Sequence, residues 1–269
     1  MTEFFDVAIA NAFRQILGGF GLMFLFAFLM WTMSQRRRGV GGGKFGNSYY
    51  YFVAPGVMFH ELGHALGCLL TMTKITRFVP FHPKGDRLGY VAYAMPVGAR
   101  FGAIRIFIIS TGPVWLGCAV ITLLGWFLGG NGFWPNYREA FGSSVPGIGN
   151  YLTVVFFTAL RMLVSMICVW KWTSPLYLVL LYLLFCITSE ITLSPSDLAG
   201  MWRGAFVLMF FVVLLNLIPG VNTLALKMSD WLAPCLFSVH SVLMFVLLMD
   251  IAFYIVFKII TFPFSGRRR

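Results

Sequence analysis

The chain has 269 residues, of which 59% are hydrophobic and only 11% are charged. This composition excludes an ordinary soluble domain and indicates a polytopic membrane protein. Arginine clusters at 36–38 and 267–269 contribute to a net charge of +11, and such clusters usually mark the cytoplasmic side of a membrane and anionic lipid. Nucleic acid is not an expected partner, because the basic residues are not interleaved with aromatic residues on a soluble face.

The N-terminal part, residues 1–47, is predicted to be an anchor helix followed by a basic loop. Residues 16–33 carry no charge and are long enough to span a bilayer. The acidic Glu3 and Asp6 stand where a signal peptide would have a basic start, so we expect the first helix to be retained. Residues 36–43 are rich in arginine and glycine and are predicted to form the loop.

The motif His60-Glu61-Leu62-Gly63-His64 lies in an apolar stretch that is predicted to be helical. Two histidines four residues apart share one face of a helix, so both imidazoles can bind one zinc ion. Glu61 lies about 100° further round the helix and can act as a base on a water bound to that ion. A carboxylate and two histidines are costly in an apolar segment unless they have a partner, so the pattern predicts a metal.

Two short β-like runs, residues 74–82 and 88–93, follow the motif helix, with Pro83-Lys84-Gly85-Asp86 as a turn between them. They predict a small β-hairpin beside the motif helix. An exposed edge of this hairpin could pair with an extended substrate. A plain connecting hairpin is the competing interpretation, and the sequence leaves both open.

The rest of the chain supplies further apolar runs that are long enough to span the membrane. These runs are 106–130, 151–170, 172–189, 195–217 and 231–257. We therefore expect an all-α polytopic membrane protein with six to seven transmembrane helices and one small hairpin. Residues 48–220 would form the membrane core, and 221–269 a C-terminal transmembrane helix with a basic tail. The arginine clusters favour a multi-pass protein of the cell membrane with a cytoplasmic C-terminus.

A catalytic zinc ion generally has three protein ligands, so the motif needs one more. The available candidates are Asp197, Glu190, Asp230, Asp250, His82 and His240. Asp197 is preferred because it begins an apolar helix behind Ser194 and Pro195, although helix capping also explains an acid there. Glu190 comes second. We expect His240 to be a core histidine and Asp250 to pair with a basic residue or to line a wet cavity.

The motif within a transmembrane helix, the β-like segment after it and an acid on a later helix resemble the site-2 protease group of intramembrane zinc metalloproteases. The resemblance covers roughly residues 48–220. It implies that His60 and His64 bind zinc and that Glu61 is the general base. It also implies hydrolysis of peptide bonds within or near the bilayer.

The later motif of that group, Asn-x-x-Pro followed by Asp-Gly, is matched only in its first half, by Asn216 and Pro219. Leu224 stands at the position of the aspartate, so the third ligand does not carry over there. Ser196-Asp197 is similar to the helix start of divergent branches, which supports Asp197. The resemblance also assigns Asn216 to the substrate or the oxyanion; ending a helix before proline is the alternative.

Together these observations predict a zinc metalloendopeptidase. Zn2+ would be held by His60, His64 and Asp197, and Glu61 would activate a zinc-bound water for attack on a transmembrane protein substrate. One rival is a prenyl-protein-type protease with Glu190 as third ligand. Another is a non-catalytic membrane scaffold or complex subunit that retains a metal site. We expect control by a partner or by prior cleavage of the substrate. The expected partners besides the substrate and the lipid bilayer are a regulatory membrane protein or a second copy of the chain in a homo-oligomer.

Overall fold

The computed structural model describes residues 2–83, 88–95, 98, 101–142, 147–169 and 173–261. Helices dominate, because in hydrocarbon the backbone polar groups must be satisfied within the segment itself. The helices are α1 (Thr2–Ile16), α2 (Leu22–Phe45), α3 (Asn47–Phe52), α4 (Ala54–Leu70), α5 (Gly102–Gly129), α6 (Tyr137–Phe141), α7 (Ile148–Cys168), α8 (Pro175–Glu190), α9 (Pro195–Leu217) and α10 (Asn222–Thr261). A π-helical turn, Leu17–Gly21, joins α1 to α2, and a 3-10 turn, Gly130–Phe133, follows α5.

Within the described residues, five helical segments are long and apolar enough to cross a membrane. They are Phe4–Val40, Gly102–Phe141, Ile148–Cys168, Pro195–Leu217 and Asn222–Ile260. The chain therefore has the character of a multi-pass, predominantly helical membrane protein. The predicted count of six to seven spans is not confirmed, because α4 and α8 have only 17 and 16 residues. Helices of that length measure about 24–26 Å, against a hydrocarbon core of about 30 Å.

The basic loop predicted at residues 36–43 is wrong, because α2 continues as a helix to Phe45. Arg37 is fully buried, and its guanidinium donates a hydrogen bond to the Asp250 carboxylate of α10. This pairing offsets the cost of burying Arg37, so the helix can continue through the arginine cluster. It also confirms that Asp250 has a basic partner. The second cluster, residues 267–269, lies outside the described residues.

The predicted hairpin is confirmed as a two-stranded antiparallel sheet of β1 (Lys74–Val79) and β2 (Tyr90–Ala94). Lys74 lies opposite Ala94, Val79 lies opposite Tyr90, and the register shifts between Ile75 and Arg77. Residues 84–87, which include most of the predicted turn, lie outside the described residues. The sheet packs beside α4, which brings it close to the histidine motif.

Helix α4 packs antiparallel against α5 through two glycines of its own. A Cβ atom added to Gly63 would lie 2.5 Å from the Cα of Pro113, and one added to Gly67 would lie 2.7 Å from the Cα of Ile109. Neither position has room for a side chain, so the two backbones are in direct contact. The four-residue spacing of these glycines, typical of close helix packing, is therefore used by a helix of the same chain.

Helix α9 packs against the same part of α5, also through two glycines four residues apart. A Cβ at Gly200 would lie 2.1 Å from the Oγ of Ser110, and one at Gly204 would lie 2.2 Å from the Cβ of Phe107. Since α4 and α9 both approach α5 between Phe107 and Pro113, the middle of α4 and the start of α9 lie side by side. This arrangement brings the histidine motif of α4 close to Asp197 at the start of α9.

Candidate metal centre

The two motif histidines and Asp197 converge where α4 meets the start of α9. The Nε2 atoms of His60 and His64 are 3.2 Å apart. Asp197 Oδ2 lies 3.7 Å from His60 Nε2, and its Oδ1 lies 3.4 Å from His64 Nε2. Of the residues that the structure describes, these three form the group of histidine, cysteine and acidic side chains that is close enough to hold a metal ion.

Both imidazoles are oriented by backbone carbonyl groups. His60 Nδ1 lies 2.9 Å from the carbonyl oxygen of Glu190, and His64 Nδ1 lies 2.8 Å from that of Ile109. A carbonyl oxygen only accepts, so each Nδ1 carries the proton and donates it. In the neutral rings the two Nε2 lone pairs then face each other and the carboxylate, an arrangement that is repulsive without a cation and typical of metal-binding histidines.

The separation of the two imidazole nitrogens fits a small tetrahedral cation. Metal–ligand bonds of about 2.0–2.1 Å in a tetrahedron place neighbouring ligand atoms about 3.3–3.4 Å apart. The two Nε2 atoms, 3.2 Å apart, match that spacing, and the Asp197 carboxylate approaches the imidazoles with two different oxygens, Oδ1 at 3.4 Å from His64 and Oδ2 at 3.7 Å from His60. Two imidazoles with one carboxylate are poor ligands for calcium or magnesium, which prefer oxygen, and suit zinc and its neighbours in the first transition row. Zinc itself remains a prediction.

Asp197 also caps α9, so the two interpretations of this residue are compatible. Its Oδ2 accepts hydrogen bonds from the backbone N–H of Ser194 at 2.9 Å and from the Ser194 hydroxyl at 2.6 Å. The Asp197 N–H donates in return to the Ser194 hydroxyl, which completes a capping box. Capping fixes the rotation of the carboxylate and leaves Oδ1 directed at His64.

Glu61 lies in the same cavity as this cluster, and the hairpin covers it. Glu61 is 8% exposed. A Cβ added to Gly89, just before β2, would lie 2.8 Å from the Cγ of Glu61, so the strand passes directly over this side chain. The cavity has a volume of about 1570 Å³, and its other walls include Trp31, Gln35, Arg38, Tyr50, Tyr90, Val91, Tyr93, Ser110 and Arg203.

Tyr93 of β2 contributes a neutral phenol to this cavity. Burial raises the pKa of this phenol, and the nearby Cys68 thiol and Asp197 carboxylate raise it further. Tyr93 therefore stays protonated well above neutral pH. It adds a hydrogen-bond donor to the cavity that contains Glu61.

The rival ligand Glu190 is occupied elsewhere. Its carboxylate pairs with Arg38 at 2.5 Å and lies 3.8 Å from the Arg37 guanidinium, while its backbone carbonyl orients His60. Glu190 thus orients His60 through its backbone, and its carboxylate is not part of the three-residue group. The other candidates are also placed away from it: His240 is buried with Nδ1 2.8 Å from the Tyr151 hydroxyl, and His82 and Asp230 are exposed.

Asn216 does not lie at the site, so the structure gives no support to its assignment to the substrate or the oxyanion. It is on α9, 19 residues beyond Asp197, which corresponds to about 28 Å of helix. Its side-chain amide is buried and donates to Gln15 Oε1 and to the carbonyl of Val212, both at 2.9 Å. Asn216 fastens the end of α9 to α1.

The carbonyl groups that orient the histidines are not predictable from the motif itself. Pro113 has no N–H and cannot bond to the carbonyl four residues earlier in α5, which leaves the Ile109 carbonyl free for His64. The Glu190 carbonyl is free because α8 ends there. In the sequence, Pro113 within the Ser110-Thr111-Gly112-Pro113 segment indicates that the Ile109 carbonyl lacks a helical donor. The side chain that binds each carbonyl, in contrast, depends on the tertiary fold.

Comparisons of the chain with protein-family models, with curated proteins and with solved structures found no match. Its function must therefore be inferred from the geometry of this site.

Metal analysis separates the two candidate third ligands. Asp197→Asn removes the anionic oxygen beside His64 and is expected to weaken zinc binding at least 10-fold, on the order of what a lost ligand or supporting partner costs. Glu190→Gln keeps the backbone carbonyl on His60 and should bind zinc almost as the wild type does. Zinc content after equilibrium dialysis of the purified variants measures both.

The reverse pattern, with zinc lost from Glu190→Gln and kept by Asp197→Asn, would make Glu190 the third ligand. Asp230→Asn is a matched control, since Asp230 is an exposed carboxylate outside the cluster and its loss should not change the zinc content.

Proposed function

We propose that this chain is an intramembrane zinc metalloprotease of the site-2 protease type, which hydrolyses peptide bonds of transmembrane proteins. The observation that supports it is the convergence of two imidazole Nε2 atoms and one carboxylate beside a buried glutamate in a single cavity. Zinc bound by His60, His64 and Asp197 would supply a Lewis acid and lower the pKa of a water to about 7.

Other groups of the chain would orient the metal ligands, transfer the proton and exclude water. The carbonyls of Ile109 and Glu190 keep both histidines in the tautomer that presents Nε2. Glu61 follows His60 in the motif and lines the same cavity, so its carboxylate can take a proton from the attacking water and later give it to the leaving amine. The strand at Gly89 shields this carboxylate from bulk solvent.

Strand β2 is the element best placed to hold a substrate. In the described part of the chain the sheet has two strands, so β2 pairs with β1 along one edge and leaves the other edge for a further strand. Tyr90, Val91 and Tyr93 line the cavity that contains Glu61. A helical substrate must be unwound before its peptide bonds can be attacked, and an extended segment can then pair with this edge.

The rivals are less well supported. A prenyl-protein-type protease would use Glu190 as a ligand, but Arg37 and Arg38 of α2 engage that carboxylate. A non-catalytic scaffold would not need a buried glutamate in contact with the hairpin, although it could retain the three ligands. Activity measurements separate the scaffold from the enzyme.

Glu61→Gln removes the base and leaves the three ligands in place. This variant should retain zinc and lose peptide-bond cleavage by about 100-fold or more, which is the usual contribution of a general base. The measurement is cleavage of a tagged library of single-span membrane proteins, co-reconstituted in liposomes with each variant and read by mass spectrometry of the products.

Glu139→Gln serves as the matched control, since Glu139 is exposed on α6 and should leave cleavage unchanged. Turnover by Glu61→Gln at the wild-type rate would reject the role of Glu61. A wild type that binds zinc but cleaves none of the library would favour the scaffold.

Gly89→Ala tests whether the strand must pass this close to the glutamate. The added methyl group would meet Glu61 Cγ at 2.8 Å and the carbonyl of Pro80 at 2.9 Å, so the strand or the carboxylate has to move. A displacement of about 1 Å can cost about 100-fold in rate, so we expect a 10- to 100-fold loss of cleavage with zinc content unchanged.

Gly39→Ala is the matched control for this variant. Gly39 also lines the cavity, but a Cβ there has no atom within 4 Å, so cleavage should remain at the wild-type level. Equal cleavage by Gly89→Ala and Gly39→Ala would show that the contact between strand and glutamate is unimportant.

A further inference from the structure

Arg37 is buried completely in the bundle and contacts two other helices, α8 and α10. Its guanidinium donates to the Asp250 carboxylate of α10 and to the backbone carbonyl of Ser189 in α8, and it lies 3.8 Å from the Glu190 carboxylate. A fully buried arginine is costly and is normally retained with its partners close by. The proposed zinc chemistry makes no use of it.

Through its contact with Ser189, this arginine caps the C-terminal end of α8. The last carbonyls of a helix have no partner within the helix and must be satisfied from outside. At the end of α8, Arg37 takes the Ser189 carbonyl and the Nδ1–H of His60 takes the Glu190 carbonyl, at 2.9 Å. The two carbonyls are adjacent on the chain, so the positions of Arg37 and the His60 ring are linked through one peptide unit.

Helix α4 also packs directly against the end of α8, so the two helix segments cannot move independently. A Cβ added to Gly56 would lie 1.9 Å from the carbonyl oxygen of Cys186 and 3.1 Å from the Cβ of Glu190. The backbone of α4 therefore rests on the last turn of α8, one turn before His60. A shift of that last turn would move both the helix that carries His60 and the carbonyl that orients its ring.

We propose that Arg37 is a positioning residue for the metal centre. Held by Asp250, it caps α8 and thereby keeps the Glu190 carbonyl in the place where it orients His60 for the metal. The inference rests on the proposed metal binding and is independent of proteolysis. It connects α2 and α10 to the site, so a partner or lipid that displaces α2 relative to α8 would change the metal centre.

The alternative is that Arg37 and Asp250 only stabilise the bundle, and a paired replacement distinguishes the two. Removing one partner would leave a buried charge and disrupt folding, whereas replacing both by apolar residues of similar volume is often neutral or stabilising. The test variant is therefore Arg37→Met with Asp250→Val, which keeps the summed volume of the pair closest to that of the wild type. It should keep the thermal unfolding midpoint near that of the wild type while the Ser189 carbonyl loses its donor.

The matched control is Arg161→Met with Glu139→Met. Arg161 likewise donates to a carboxylate, that of Glu139 at 3.3 Å, and to a backbone carbonyl, that of Trp134 at 3.0 Å, but this exposed pair is remote from the histidines. Both double variants and the wild type are purified as full chains in detergent. Zinc dissociation constants are measured by competition with a chromophoric chelator, and the visible spectrum of the cobalt-substituted protein reports ligand geometry.

We expect the Arg37/Asp250 double variant to bind zinc 10- to 100-fold more weakly and to show an altered cobalt spectrum, the usual cost of losing support behind a ligand. The control should match the wild type in both readouts. Unchanged zinc affinity and an unchanged cobalt spectrum in the Arg37/Asp250 variant would overturn the inference alone. A wild type that binds no zinc would overturn the proposed function and this inference with it.

Arg37→Lys keeps the test decisive if the double variant does not fold. Lysine retains the charge beside Asp250 but has no planar fork with which to reach the Ser189 carbonyl as well. Weaker zinc binding and a shifted cobalt spectrum in this variant support the positioning role. Wild-type values in both measurements would contradict it.

Discussion

The site depends on one packing constraint: two helices approach the same stretch of α5 at backbone distance. Gly63 and Gly67 allow this on α4, and Gly200 and Gly204 allow it on α9. Without driving force from water inside a bilayer, helices associate through such close contacts of small residues. The constraint fixes the distance between the histidines of one helix and the first turn of the other. It also means that the ligand cluster is a property of the bundle and not of the motif alone.

A proline in α5 and the end of α8 supply the free carbonyl groups that orient the two histidines. Pro113 leaves a carbonyl of α5 without a helical donor, and the end of α8 leaves two more. Unsatisfied carbonyls are expensive in a protein interior, and the imidazole N–H groups of His64 and His60 satisfy two of them. Each irregularity of the backbone is thus stabilised by a histidine, and each histidine is held in the tautomer that presents Nε2. The interruptions and the histidines depend on one another.

The histidine motif and the alternating segments after it were predictable from local pattern, and the structure has a helix and a hairpin there. Asp197 was singled out by its helix-start signature, and the structure brings it to both imidazoles, although metal binding there stays a prediction. Contacts between residues far apart in the chain could not be predicted from local pattern. The partner of Arg37 lies 213 residues away, so the arginine cluster suggested a loop where the helix continues. Asn216 matched a motif by spacing, but its neighbour is Gln15 of α1.

The most direct test of this account is X-ray absorption spectroscopy of the zinc-loaded full chain in detergent. Convergence of α4 and α9 predicts two imidazole nitrogens and one or two oxygens at about 2.0–2.1 Å, with the outer-shell scattering of imidazole rings. A first shell with one nitrogen or oxygen ligand fewer in Asp197→Ala would assign the lost ligand to α9. A wild-type spectrum with no imidazole scattering, or one that Asp197→Ala leaves unchanged, would contradict a metal centre shared by these two helices.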